Sequence, residues 1–247
     1  GHVLSEWNYN AYLFSQFPFR LSDCKRICAF DWGYRAPASM HWLAYTPENQ
    51  YGVRHVFVYR EIYRNQLTPK QWGQLLKRVQ QIDPVEYMVL PHDCYSSDQG
   101  QDTIATVLKR ESGIPDRVGK TLVKGARQNR LAMTHQGLSM SPDGHPYMMV
   151  HESCLNLIRT LPELPYSETA PEDVDTDGED HAYDSMSLGL ITLKPKFVDG
   201  GLVELKPRVA VDLKQSWQQN YDGSTQPLDI IQALGSGQRT IQQDGEF

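Results

Sequence analysis

The chain has 247 residues and a formal net charge of −6, with 40% hydrophobic and 22% charged residues. That is long enough for one sizeable core with an appendage, and the composition is that of a soluble globular protein, not a disordered chain. No stretch approaches the roughly 18 apolar residues of a membrane span, and the cysteines Cys24, Cys28, Cys94 and Cys154 are too few for a secreted disulfide scaffold, which points to a reducing compartment.

Gly1-His2, with no initiator Met, reads as a tag remnant ahead of a fragment, with a segment expected upstream. Residues 1–25 are aromatic-rich but aperiodic and are expected to form a linker or packing arm. The pattern then sharpens. Ile27, Cys28, Ala29 and Phe30 form the near-continuous apolar run of a strand buried on both faces, at 26–32. Strands at 40–46 and 54–63 follow, separated by Pro47, Asn49 and Gly52, so a three-stranded antiparallel meander is predicted.

Thr68 as N-cap and Pro69 at the first helical position open a helix carrying Trp72, Leu75, Leu76, Val79 and Ile82 at helical spacing, which Asp83-Pro84 stops. A second buried strand is predicted at 86–90. After it come a helix at 101–111 with Gly113 as C-cap, a strand at 117–124, a helix at 126–134, and a strand at 137–140. A turn at Pro142-Asp143-Gly144 leads into a strand at 147–150, and helices are expected at 152–161 and 181–193. From 195 the chain is Gln-, Gly- and Asp-rich, and is expected to hold at most a small hairpin and a mobile tail. The expected division is an arm at 1–25, a core domain at 26–194 and an extension at 195–247. The strand after the first crossover helix is expected to pair parallel with a central strand of the meander, by a right-handed crossover.

Charge is distributed unevenly. Glu168, Glu172, Asp173, Asp175, Asp177, Glu179, Asp180 and Asp184 crowd 167–184 with no Lys or Arg among them. Lys109, Arg110, Arg117, Lys120, Lys124, Arg127 and Arg130 form a basic band broken only by Glu111 and Asp116. A basic band beside a separate carboxylate cluster suits a polyanion held near bound cations; a solvated basic face and an acidic loop would look the same.

Two aspartates close buried strands, Asp31 after the first and Asp93 after 87–90. If those strands are parallel neighbours, both stand at the edge where open α/β sheets bind ligands, although either could serve as a turn residue. His181 and Asp184, three apart, share a face at the start of the last helix, with Asp180 as its natural N-cap. Carboxylates on two strand ends and a helix make an oxygen-rich site suited to Mg²⁺ or Mn²⁺. Two such ions can activate water and stabilise the leaving oxygen of a phosphodiester. Without metal the carboxylates would repel one another.

Together, Phe30-Asp31-Trp32-Gly33-Tyr34-Arg35-Ala36-Pro37, Asp93 after a strand, and Asp180-His181-Ala182-Tyr183-Asp184-Ser185 resemble the C-terminal nuclease domain of the large terminase subunit of tailed bacteriophages, over roughly 27–193. The resemblance implies an α/β RNase H-like fold, with a central mixed sheet of antiparallel and parallel strands flanked by helices. It implies a metal-dependent endonuclease that cuts double-stranded viral DNA concatemers during genome packaging. Asp31, Asp93 and Asp184 would be metal ligands for two Mg²⁺ or Mn²⁺ ions, and His181 would orient water or support a ligand. Some relatives carry another carboxylate shortly after the first Asp; here none lies between Asp31 and Glu48, so a fourth ligand comes from elsewhere or is missing. Ser185 stands where relatives often have Ala. The resemblance also implies an upstream ATPase motor in the same polypeptide, a portal and a small terminase subunit as partners, and action in the host cytoplasm.

The stretch from Gly113 to Thr121 comes close to a phosphate loop, but it has five residues between the glycines instead of four and follows a helix, so it reads as a cap and a basic strand. Lys120, Lys124, Arg127 and Arg130 are the candidates for DNA backbone contacts. Trp32 and Trp72 are expected in the core or the site wall. The acidic segment is expected to act as a flap that keeps DNA away. Rival readings are another RNase H-like enzyme, such as a junction resolvase or hybrid nuclease, and a non-catalytic adaptor docking on a portal.

Overall fold

The computed structural model describes residues 3–4, 6–97, 100–119, 126–166 and 178–197. A short helix, Tyr9–Tyr12 (α1), and a two-residue strand, Leu13–Phe14 (β1), precede Lys25–Asp31 (β2), Ala38–Tyr45 (β3) and Val56–Arg64 (β4). These last three form the expected antiparallel meander. Between β3 and β4, the Asn49 side chain accepts hydrogen bonds from the amides of Tyr51 and Val53 and so shapes the turn.

Helix Pro69–Ile82 (α2) starts on a capping box, with Thr68 accepting from the Gln71 amide while the Gln71 side chain accepts from the Thr68 amide. Strand Tyr87–Leu90 (β5) then pairs parallel with β2, Ile27 opposite Tyr87. Helix Ile104–Ser112 (α3) ends at Gly113, and Asp116–Val118 (β6) pairs parallel with β5. Next come Ala126–Leu138 (α4), Met148–His151 (β7), Leu155–Thr160 (α5) and His181–Leu193 (α6).

The seven strands lie in the order β1-β7-β4-β3-β2-β5-β6, one mixed sheet flanked by helices. This is the expected RNase H-like architecture. Alternation along the strands sorts their side chains into two cores. Ile27, Ala29, Leu43, Val58 and Val89 pack under α4, α5 and α6, while Cys28, Phe30, Trp42, Met88 and Leu90 pack under α2 and α3.

Three expectations are corrected. Gly137 and Leu138 belong to α4 and not to a strand, because Leu131, Thr134 and Leu138 continue one buried helical stripe; only Met140 pairs, in a single bridge with Pro146. Helix α5 begins at Leu155, later than expected, because β7 runs on to His151. The strand expected at 117–124 is β6, shorter and shifted to Asp116–Val118, with 120–125 outside the described residues. The N-terminal arm resolves into α1 and β1, with Leu13 paired to Val150 and Phe14 and Phe17 buried. Most of the acidic segment (167–177) and the extension from 198 lie outside the described residues. Among the described residues no helix is long and apolar enough to cross a membrane.

Candidate active site

Strand β2 lies inside the sheet, with β3 antiparallel on one side and β5 parallel on the other. Its last residue, Asp31, therefore stands at the carboxyl edge, where the chain leaves both β2 and β5. The turn after it is tight. A Cβ on Gly33 would lie 2.6 Å from the Ala36 carbonyl oxygen and 2.8 Å from that of Pro37, so this position of the Asp-Trp-Gly motif has no room for a side chain. Trp32 lines the cleft beside Asp31, whereas Trp72 is fully buried in the core.

Helix α6 crosses this edge with one ridge down on the sheet. His181, Ser185 and Gly189, four residues apart, lie on that ridge. His181 Nδ1 is 3.0 Å from Asp31 Oδ2. Ser185 Oγ is 2.7 Å from His41 Nδ1 and 2.9 Å from Ser39 Oγ. A Cβ on Gly189 would meet Leu43 Cδ1 at 2.6 Å and Ala29 Cβ at 3.0 Å, so the missing side chain sets how closely the helix approaches.

A cleft of about 460 Å³ opens at this edge, lined among others by Asp31, Asp180, His181, Asp184, Arg127 and Arg130. Burial pushes the Asp31 carboxyl up; the His181 hydrogen bond opposes this, and the charges of Asp184 and Asp93 add to it. The hydrogen bond to Asp31 in turn holds the His181 imidazole above its ordinary value.

Asp180 departs from its expected role. It occupies the N-cap position of α6, but with φ −99° and ψ −4° it is helical, not extended, and its side chain makes no capping bond. Its carboxyl, buried in the cleft, is pushed up to about 7 by burial and then by the charges of Asp184 and Asp31. Arg127 Nη2 approaches it to 3.8 Å. The sequence has no carboxylate shortly after Asp31 and left the source of a fourth ligand open; the fourth acidic group of this edge is Asp180, which the capping assignment had absorbed.

Asp184 faces α4. Arg130 Nη2 lies 3.1 Å from its Oδ1, an ion pair without hydrogen-bond alignment, and Nη1 donates to the Asp184 backbone carbonyl at 3.4 Å. Arg130 is only 6% exposed, so it belongs to the cleft wall and not to an exposed basic face. Asp93 sits in the 3-10 helix His92–Tyr95 after β5, exposed and outside the cleft lining, yet near enough for its charge to raise Asp31. Lys120 and Lys124 lie outside the described residues.

Beneath the cleft runs a polar chain that sequence reasoning missed. His41 Nε2 is 3.1 Å from Glu61 Oε2, and Glu61 also accepts the amides of Asn156 and Leu157 and the Asn156 side chain. Burial pushes the Glu61 carboxyl up, but the His41 and Asn156 bonds outweigh it and hold it below its usual range. The chain of contacts ties α5 and α6 to the sheet directly under His181.

The donor set of the cleft fits a hard divalent cation: the groups are carboxylate oxygens, they repel one another, and buried Asp184 Oδ1 has no hydrogen-bond partner. Among the described residues, however, no three acidic, His or Cys groups are grouped so as to hold one ion. Asp184 is instead turned toward Arg130.

Fold and cleft together define an RNase H-like α/β domain with an acidic site at the carboxyl edge of β2. The chain is similar to the nuclease domain of the P22 large terminase, with 11% identity and TM-score 0.53, over 80% of this chain and 95% of that one. It is also similar to the large terminase of the thermophilic bacteriophage D6E, with 14% identity and TM-score 0.56, over 78% of this chain. It spans only 45% of that longer chain. The fold is thus that of a large-terminase nuclease domain. No family model and no curated protein matches the sequence.

Proposed function

We propose that this chain is a metal-dependent endodeoxyribonuclease of the large-terminase type, cutting double-stranded DNA concatemers during genome packaging. The observation that carries the reading is the gathering of Asp31, Asp180 and Asp184 in one cleft at the carboxyl edge of β2, on a terminase nuclease fold. Asp31 and Asp184 are assigned as ligands, Asp93 as a ligand that swings in from the rim, and Asp180 as the further acidic group. When bound, Mg²⁺ or Mn²⁺, as two ions, would supply an activated water and charge compensation for the leaving oxygen. His181, hydrogen-bonded to Asp31, fixes that carboxylate and holds a proton at Nδ1. Arg127 and Arg130 offer positive charge to the phosphate, with Lys120 and Lys124 extending the track.

On this reading 26–194 is the catalytic domain, an ATPase motor precedes it in the same polypeptide, portal and small subunit are its partners, and it works in the host cytoplasm.

The test is relaxation of supercoiled plasmid with Mn²⁺, with Mg²⁺ and with chelator, beside a folded Asp93→Ala variant. Metal-dependent nicking that falls at least about 100-fold in the variant supports the reading. Activity confined to four-way junctions or RNA–DNA hybrids would replace it with a resolvase or hybrid nuclease. No cutting with either metal, by a folded chain that binds DNA, would leave an adaptor or a nuclease that cuts only with its motor.

A further inference from the structure

Resting on that reading, we propose that Arg130 is an internal counter-ion that exchanges partners: in the free protein it neutralises Asp184, and on DNA entry the guanidinium moves to a backbone phosphate and frees Asp184 for the cation.

A buried Arg beside a carboxylate ordinarily makes two parallel, aligned hydrogen bonds. This pair does not. Arg130, 6% exposed, approaches Asp184 Oδ1 with a single nitrogen at 3.1 Å and out of alignment. Its other terminal nitrogen makes only a 3.4 Å bond to the Asp184 carbonyl. Arg130 Nε and Asp184 Oδ1 are both buried with no hydrogen-bond partner. Two orphaned atoms of opposite character, on two partners lining one cleft, call for two further ligands: an anion with oxygen acceptors for Nε and a cation for Oδ1. A phosphodiester and a divalent metal are that combination.

The pairing also accounts for the arrangement of the acidic groups. With Asp184 held toward α4, the carboxylates cannot converge on one ion, so cation and guanidinium compete for the same oxygen. Metal and DNA then bind cooperatively, because each removes what opposes the other, and by linkage the coupling is mutual. Arg127, 3.8 Å from Asp180, stands one helical turn away on α4 and keeps the second acidic group compensated meanwhile.

The experiment measures Mn²⁺ binding to the full chain without DNA, by electron paramagnetic resonance, for the wild type, Arg130→Met and Arg130→Lys. Arg130→Met, losing the competing charge, is expected to bind Mn²⁺ about tenfold more tightly. At saturating Mn²⁺ it is expected to cut duplex DNA about 100-fold more slowly. Arg130→Lys, which keeps the charge, is expected to bind Mn²⁺ as weakly as the wild type. Unchanged or weaker Mn²⁺ affinity in folded Arg130→Met, or undiminished cutting, overturns the exchange. Failure of both variants to fold assigns Arg130 to the fold alone and overturns it too. A wild type that neither binds Mn²⁺ nor cuts DNA sinks the nuclease reading instead; one that does both, with Arg130→Met altering neither, sinks only the exchange.

Discussion

The residue with the most to reveal is Asp180. Its carboxyl is held near 7 in the folded chain, against an unfolded value of about 3.9. Between those values the folded state binds more protons than the unfolded state, so the group's contribution to stability falls as pH rises through that window. In chelator, Asp180→Asn is therefore expected to melt at a higher temperature than the wild type at pH 8 and at the same temperature at pH 4. Equal melting temperatures at both would mean that the carboxylate is not destabilised by its neighbours. Ser185 offers a second test. Removing its hydroxyl strands His41 Nδ1 in the core, which is expected to cost about 1–3 kcal/mol in urea unfolding. A loss below about 0.5 kcal/mol would show that the His41–Glu61 pair stands without it. Asp180 also shows where composition misleads: an Asp just before a helix reads as a cap, and only backbone angles reveal that its side chain points elsewhere.

Among the elements, α6 does most to build the site, and its packing depends on one missing side chain. Gly189→Ala would set a methyl against Leu43 and Ala29, forcing helix and sheet apart at an expected cost of about 1–3 kcal/mol. Because His181 and Asp184 ride on that helix, DNA cleavage should fall with it; full stability in urea would contradict the close packing. The start of α2 was legible because the Thr68 cap, Pro69 and the helical period agree there, whereas α6 starts at His181 as expected without the Asp180 cap that had marked it. The bulge in β4 was not. Trp42 pairs with Arg60 but Leu43 with Val58, so Tyr59 is an extra residue, and beyond it Glu61 faces His41 and α5. A strand of strict period two would have turned Glu61 to the opposite face. No local pattern in Arg54–Tyr63 marks that slip, so the buried polar chain under the site stayed invisible in the sequence.

At the scale of the whole molecule, a parallel return of β5 to the meander could be inferred from the crossover helix α2, but not which strand it joins; the structure pairs it with β2 and so brings Asp31 and Asp93 to a common edge. The pairing of β1 with β7 joins residues far apart in the chain and left no periodic trace in two residues. What the molecule presents at its carboxyl edge is an acidic cleft closed on itself by arginines, in a fold shared with large-terminase nuclease domains. The most direct test is anomalous diffraction at the manganese edge from crystals of the chain with a short DNA duplex and Mn²⁺. The account predicts a manganese peak about 2.0–2.2 Å from carboxylate oxygens of both Asp31 and Asp184, with Arg130 turned to a phosphate. A cleft without manganese, with Arg130 still paired to Asp184 while duplex DNA occupies the edge, would contradict it.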